Sequence, residues 1–97
     1  AEPTVSGLHD VERVAELAGQ LRVRAVVAVN KSDLNAEQVE RIHRIAEEKD
    51  ARVIGSIPFD PAVNQALMAG RTVVEFSDGP AACAIRELWA ELQKEFQ

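Results

Sequence analysis

Apolar side chains recur every three to four residues in three long segments of the chain, numbered 6–22, 35–50 and 77–96. This spacing is that of one face of an α-helix, so each segment is predicted to form an amphipathic helix. Thr4 or Ser6 can cap the first helix and Asn35 the second, because such side chains accept hydrogen bonds from the first amides of a helix. The pattern therefore predicts three long helices with identifiable starts.

Two further segments are short and mainly apolar, RAVVAV at 24–29 and the start of ARVIGSI at 51–57. Short β-branched runs of this kind are typical of strands buried on both faces of a parallel sheet. One predicted helix lies between the two runs. The first half of the chain therefore predicts a βαβ unit.

The region between the second strand and the last helix has shorter patterns. Residues 61–70 suit a short helix, with Pro61 at its first position and Gly70 as its terminator. Residues 71–76, RTVVEF, predict either a short edge strand or an extended connector. The whole chain, 1–97, is thus predicted to be one α/β domain. We expect a partial three-layer sandwich, with about four helices flanking a short parallel sheet of two or three strands.

Composition narrows the function classes. The chain has 16 acidic and 11 basic residues and a formal net charge of -5, which disfavours nucleic acid as a partner. The single cysteine, Cys83, excludes a disulfide framework within the chain and favours a reducing, cytoplasmic location. We expect Cys83 to be a small packing residue, and we expect no metal site. The longest apolar run is far shorter than a membrane span, so no membrane insertion is expected.

The segment NKSD follows the first strand, at the edge of the sheet where α/β folds bind ligands. The Asn30 amide offers a donor and an acceptor, which suits a base edge that has an amino group beside a ring nitrogen. Lys31 can lay its aliphatic stem along a base. Asp33 can accept paired N–H groups from guanine, or it can order the loop by accepting from the backbone. These residue types are also common in turns, so a base-reading loop and a plain turn both remain open.

Four segments in succession carry a resemblance that covers essentially the whole chain: EPTVSGLHD, VVAVNKSDLN, VIGSIPFDPAVNQALMAGRTVVEF and SDGPAACAIRELW. In order and spacing they resemble the C-terminal portion of MinD/ParA-type P-loop ATPases. The resemblance is strongest to the branch with cobyrinic acid a,c-diamide synthase-like nucleotide-binding domains, some of which carry an inserted ferredoxin-like domain. It implies a partial P-loop NTPase fold and a parent that binds ATP with Mg²⁺. An insert of that kind would also imply an iron–sulfur association.

The resemblance also implies roles for two loops. Asn30, with Lys31, is expected to read the adenine edge. The loop expected to close over the base consists of Ile57, Pro58, Phe59 and Asp60. The Pro58 carbonyl suits this role because it can accept from the adenine amino group on a rigid backbone. Glu2, Pro3 and Thr4 are expected near the nucleotide, although they also suit the start of a helix.

The chain departs from the family at the phosphate-binding loop. None of its five glycines precedes a lysine, so it contains no Walker A motif to cradle phosphates. We therefore expect no catalysis and no tight ATP binding by this chain alone. The opening AEPTV lacks an initiator methionine, and we expect the chain to be a piece of a longer protein. Its expected partners are the rest of the parent ATPase domain and, in the parent, a second copy in a homodimer.

Two other functions fit parts of the sequence. NKSD also matches the guanine-specificity motif of GTPases, which would read guanine through Asn30 and Asp33, but SIPFDPAV replaces the Ser-Ala-Lys-like loop expected there. A stand-alone α/β interaction module without nucleotide binding is the other alternative. Apart from these alternatives, Trp89, Leu92 and Phe96 form one apolar stripe on the last helix, which we expect to be core or interface.

Overall fold

A computed structural model describes residues 1–95 of the chain, so the predicted contribution of Phe96 lies outside the described residues. The elements in chain order are α1 (Val5–Gln20), β1 (Val26–Asn30), α2 (Ala36–Glu48), β2 (Arg52–Ile57), α3 (Ala62–Met68), α4 (Val73–Phe76) and α5 (Pro80–Glu95). The three long helices and both strands of the sequence prediction are present. No helix among residues 1–95 combines the length and the apolar character that crossing a bilayer requires.

The starts of the first two long helices follow from their caps. The Thr4 hydroxyl accepts from the Gly7 amide at 2.9 Å at the start of α1. The Asn35 side chain accepts from the Gln38 amide at 3.1 Å at the start of α2. Each cap satisfies an amide that has no partner within the helix, which is why the chain turns helical at these two points. Both capping predictions are confirmed, with Thr4 rather than Ser6 at the first.

The sheet consists of β1 and β2, which run parallel, as predicted. Val27 pairs with Val53 and Ala28 with Gly55, so Ile54 is an extra residue that shifts the register once. From that point the pairing continues regularly to the ends of the two strands. The shift and the short strands leave a small sheet that needs helices on its faces to bury apolar surface.

Helices cover both faces of the sheet, which gives the predicted three layers. On one face, Val29 of β1 packs in a buried cluster with Val11 of α1 and Ile42 of α2. Successive residues of a strand face opposite sides of the sheet, so Ala28 faces away from the cluster that contains Val29. Gly55 pairs with Ala28 and therefore lies on that opposite face. A Cβ atom at Gly55 would lie 2.8 Å from the Leu88 Cδ1 atom of α5, so glycine permits the close approach of this helix.

The apolar face of α1 and the strand β1 are less covered than the sequence predicts. Val11 and Ala15 of α1 are buried, but Val14 and Leu21 are 64% and 65% exposed. In β1 only Val29 is fully buried, and the residues before it are half-buried. The prediction of a strand buried on both faces therefore holds for Val29 alone, because β1 lies at the edge of the two-stranded sheet that residues 1–95 form.

Residues 73–76 are helical, so the prediction of an edge strand or extended connector is wrong. Thr72 and Glu75 form a capping box: the Thr72 hydroxyl accepts from the Glu75 amide at 3.3 Å, and the Glu75 carboxylate accepts from the Thr72 amide at 3.3 Å. These bonds outweigh the β preference of the two valines between them. The described part of the chain therefore has five helices rather than about four.

Cys83 is exposed, which contradicts the prediction that it packs in the interior. The two preceding alanines, Ala81 and Ala82, take the buried positions of the first turn of α5, and the next residue turns outward. The Cys83 thiol donates to the Asp78 carbonyl oxygen at 3.3 Å. Trp89 is also exposed, by 59%, so within the described residues it is available to an interface rather than part of the core.

Candidate functional site

The two predicted base-recognition loops leave the sheet side by side. Asn30 and Ile57 are the last residues of β1 and β2, and they are paired in the sheet. The Ser32 amide of the first loop donates to the Ile57 carbonyl oxygen at 3.0 Å. The carboxyl ends of the strands thus place residues 30–34 and 57–60 at one edge of the sheet, which we call the loop edge.

The side-chain N–H groups of Asn30 have no acceptor among residues 1–95 at this edge. Asn30 is exposed, and its side-chain oxygen accepts from the following amide, that of Lys31, at 3.0 Å. Lys31 has a φ of 53°, a left-handed conformation that costs a non-glycine residue about 1–2 kcal/mol. The turn thus holds the Asn30 amide in a fixed orientation with its N–H groups available.

Asp33 links the first loop to the second. Its Oδ1 atom accepts from the Phe59 amide at 2.8 Å. The sequence allows Asp33 two roles, reading guanine or ordering the loop. This bond gives Asp33 the ordering role, and it joins two loops rather than stabilising one. The remaining carboxylate oxygen is open to solvent on an exposed side chain.

Pro58 and Phe59 present two unused groups at the loop edge. Pro58 is half-buried, and no hydrogen bond among residues 1–95 ends on its carbonyl oxygen. The ring of Phe59 is 47% exposed. A carbonyl acceptor next to an exposed aromatic ring can accept from a planar heterocycle while the ring packs on its face.

Asp60 has a structural role that the sequence prediction missed. Its Oδ1 atom accepts from the Ala62 amide at 3.0 Å and its Oδ2 atom from the Ala81 amide at 3.2 Å. Ala62 begins α3 and Ala81 lies in the first turn of α5, so one half-buried carboxylate caps two helices. The Asp-Pro-Ala order before α3 signals the first cap, but nothing local signals the second. Pro61 precedes α3 rather than opening it.

The first residues of the chain also reach the loop edge. The Glu2 carboxylate lies 3.2 Å from the Lys31 ammonium, in an ion pair that the sequence analysis did not foresee. Thr4 caps α1, and Pro3 is buried beneath this segment. Of these three predicted residues, Glu2 therefore comes beside the Asn-Lys loop, whereas Thr4 serves the start of the helix.

The loop edge has little positive charge for a polyphosphate. Lys31 is the one basic residue in segments 30–35 and 57–62, and its ammonium faces Glu2. Within residues 1–95, no group of three or more His, Cys, Asp or Glu side chains is placed to hold a metal ion. The arrangement suits recognition of a planar, uncharged edge rather than binding of phosphates.

Comparisons with known proteins place this geometry in a fold. No protein-family profile matches the chain, and no curated protein matches its sequence. Among solved structures, the chain is similar to the MinD cell division protein of Aquifex aeolicus, with 28% sequence identity and a TM-score of 0.76. The match covers 97% of this chain and 42% of that one, so the chain spans less than half the length of the matched structure. The chain therefore has the fold of a MinD-like fragment, a partial α/β fold of the P-loop NTPase type.

Proposed function

We propose that this chain is the C-terminal part of a MinD/ParA-like ATPase and that its loop edge recognises the adenine base of ATP. The observation that carries the proposal is the joining of the two loops: Phe59 N–H to Asp33 at 2.8 Å, and Ser32 N–H to the Ile57 carbonyl at 3.0 Å. These bonds join the two loops directly.

The free groups at the loop edge match the adenine edge in kind. The Pro58 carbonyl can accept from the adenine amino group, and the Asn30 side-chain amide can donate to a ring nitrogen. Phe59, with its ring half open to solvent, can pack on the face of the base. Lys31 can add its aliphatic stem. Four groups on two joined loops thus supply hydrogen bonds and apolar contact to one planar ligand.

Guanine is the less suitable base for this edge. A guanine-reading aspartate needs both carboxylate oxygens for paired N–H donors, and one oxygen of Asp33 already accepts from Phe59. The Pro58 carbonyl, an acceptor, would face the guanine carbonyl oxygen rather than an amino group. The guanine alternative predicts a preference for GTP that is lost in Asp33→Asn. The adenine proposal predicts a preference for ATP that this substitution leaves in place.

The phosphates and Mg²⁺ need residues from the rest of the ATPase. The base fits groups of this chain, but the chain has no glycine-lysine phosphate loop and pairs Lys31 with Glu2. When bound, ATP with Mg²⁺ supplies the phosphoryl group that the parent transfers to water. This chain contributes base selection and part of the sheet, in a parent that we propose to be a cytoplasmic homodimer. A place in the branch with a ferredoxin-like insert rests on the order of the four sequence segments alone.

The proposal is tested by Asn30→Ala in the intact ATPase. Loss of one hydrogen bond to the base is expected to weaken ATP binding about tenfold and to narrow the preference for ATP over GTP. Asn64→Ala is the matched control, because Asn64 is exposed on α3 and no hydrogen bond among residues 1–95 joins its side chain to either loop. Its affinity for ATP should equal that of the parent protein.

Two results would overturn the proposal. If Asn30→Ala binds ATP as tightly as Asn64→Ala does, Asn30 does not read the base. If the unsubstituted intact protein binds neither ATP nor GTP at millimolar concentration, the stand-alone interaction module is the better description.

A further inference from the structure

The peptide bond between Pro58 and Phe59 contains the carbonyl group that the proposed function assigns to the adenine amino group. Its two polar groups, the Pro58 C=O and the Phe59 N–H, belong to one planar unit, and no peptide bond among residues 1–95 is cis. In a trans peptide the C=O and N–H bonds point in opposite directions. A partner that fixes the Phe59 N–H therefore also fixes the direction of the Pro58 carbonyl.

The neighbours of this peptide leave it one way to move. On one side, the Ile57 carbonyl oxygen accepts from the Ser32 amide at 3.0 Å, and the pyrrolidine ring of Pro58 fixes its own φ angle. On the other side, the Asp60 carboxylate is bonded to the first turns of α3 and α5. The movement that remains is a flip of the Pro58–Phe59 peptide plane, which exchanges the directions of its carbonyl and its N–H.

Asp33 is placed to prevent this flip. Its Oδ1 atom accepts from the Phe59 N–H at 2.8 Å, from a loop 26 residues earlier in the chain. A hydrogen bond to a carboxylate is stronger than one between neutral groups, and it polarises the peptide so that the carbonyl at the other end becomes a better acceptor. Asp33 thus directs the Pro58 carbonyl away from itself and strengthens it as an acceptor.

We propose that Asp33 is a positioning residue that determines base selectivity through the Pro58–Phe59 peptide. With the N–H held by Asp33, the peptide presents an acceptor, which matches the amino group of adenine. A flipped peptide would present its N–H, a donor, which matches the carbonyl oxygen of guanine. Asp33 therefore selects adenine without touching the base. The inference rests on the proposed function and adds the residue that sets its selectivity.

Two nucleotides that differ by the amino group alone test the proposal in the intact ATPase. These are ATP and purine riboside triphosphate, which has hydrogen in place of the amino group. ATP should bind about five- to tenfold more tightly, the value of one hydrogen bond. In Asp33→Ala this ratio should fall to about one, because the peptide is no longer held. Asp33→Asn should keep the ratio, because the asparagine oxygen can still accept from the Phe59 N–H.

The preference for ATP over GTP is the second readout. Asp33→Ala should narrow this preference about threefold or more, because the freed peptide can turn its N–H toward guanine. Asp78→Ala is the matched control, since that carboxylate is 93% exposed and pairs with Arg86, and it should leave both ratios unchanged. If Asp33 only stabilises the loops, Asp33→Ala weakens all three nucleotides by the same factor. That result would overturn the proposal.

The same measurements separate this inference from the base recognition on which it rests. If ATP binding depends on Asn30 while both ratios in Asp33→Ala equal those of the unsubstituted protein, base recognition stands and the role of Asp33 is wrong. If the unsubstituted protein binds ATP and purine riboside triphosphate equally well, the Pro58 carbonyl meets no amino group and the proposal is overturned without any variant. If it binds none of the three nucleotides, base recognition and the role of Asp33 are both wrong.

Discussion

The loop edge and the outer edge of β1, which is the side of that strand away from β2, meet at Asn30, yet they differ in how they are held. At the loop edge, Asp33 and Asp60 accept three backbone amides and tie two loops and two helices together. At the outer edge of β1, one residue, Ala1, pairs with the strand, and Val14 beside it is exposed. The difference is that side chains of the described residues join the two loops at the loop edge, whereas the outer edge of β1 is paired within residues 1–95 only through Ala1.

The two sides of α1 show the same contrast in their packing. Val11 packs with Val29 and Ile42 under the strands, close to the point where β1 gives way to the Asn-Lys loop. Leu17, on the same helix, is 54% exposed. Burial of aliphatic side chains supplies most of the stabilising free energy of a small domain, so the inner side supports the loops and the outer side adds little in this chain.

The largest expected effect separates these two sides. Ile42→Ala should lower the free energy of unfolding of the 97-residue chain by about 2–5 kcal/mol, since it removes a fully buried side chain and leaves a cavity. Leu17→Ala, the matched truncation on the outer side, should change it by no more than about 0.5 kcal/mol. Urea denaturation measures both. Equal losses in the two variants would show that the outer side of α1 is already covered in this chain.

The next effect probes the closure of the loop edge. Asp60→Ala should cost about 1–3 kcal/mol, because it leaves the Ala62 and Ala81 amides without their acceptor in a half-buried position. Asp78→Ala is the control. That carboxylate is 93% exposed and, among residues 1–95, pairs with Arg86 alone, so its loss should cost at most about 1 kcal/mol. Thermal melts followed by circular dichroism measure the difference, and a cost for Asp60→Ala no greater than for Asp78→Ala would contradict the double-cap role.

The smallest predicted effect is the titration of Glu75 in α4, a helix that lies away from both edges. The hydrogen bond from the Thr72 hydroxyl, then that from the Thr72 amide, and then the Arg71 charge hold the pKa of the Glu75 carboxyl below its ordinary value. A lowered pKa means that Glu75 stabilises α4 at pH values above its ordinary pKa, and that this contribution is lost as the pH falls below the ordinary pKa and through the lowered one. NMR signals of the α4 amides should shift over that range, whereas those of Asn30 and Phe59 should not follow the same titration.

Glu75→Gln is the control for this titration, since a glutamine cannot ionise. The α4 shifts should disappear in that variant. If they persist, another carboxylate is responsible for the titration.

Local signals account for the parts of the fold that the sequence predicts. Thr4 and Asn35 cap helices whose apolar stripes are already clear, and β1 and β2 are each rich in valine and isoleucine. The signal for α4 is equally local, since Thr72 and Glu75 have the spacing of a capping box. The two valines between them favour an extended segment, and in the structure the cap outweighs that preference.

The candidate site was predictable only in its location. The order of strand and loop places Asn30 and Pro58 at one edge, and a resemblance to known ATPases gives them a role. The bonds of Asp33 to Phe59 and of Asp60 to Ala81 join residues 26 and 21 positions apart. Such contacts depend on how the elements pack, and no spacing rule along the chain encodes them.

The measurement that most directly tests base recognition is an NMR titration of the 97-residue chain with adenosine and with guanosine in the millimolar range. Nucleosides lack phosphates, so the missing phosphate loop does not obscure the result. The account predicts that adenosine shifts the Asn30 side-chain amide and the Phe59 backbone amide, and that guanosine shifts them less. Equal shifts by the two nucleosides, a preference for guanosine, or no shift at either residue would contradict it.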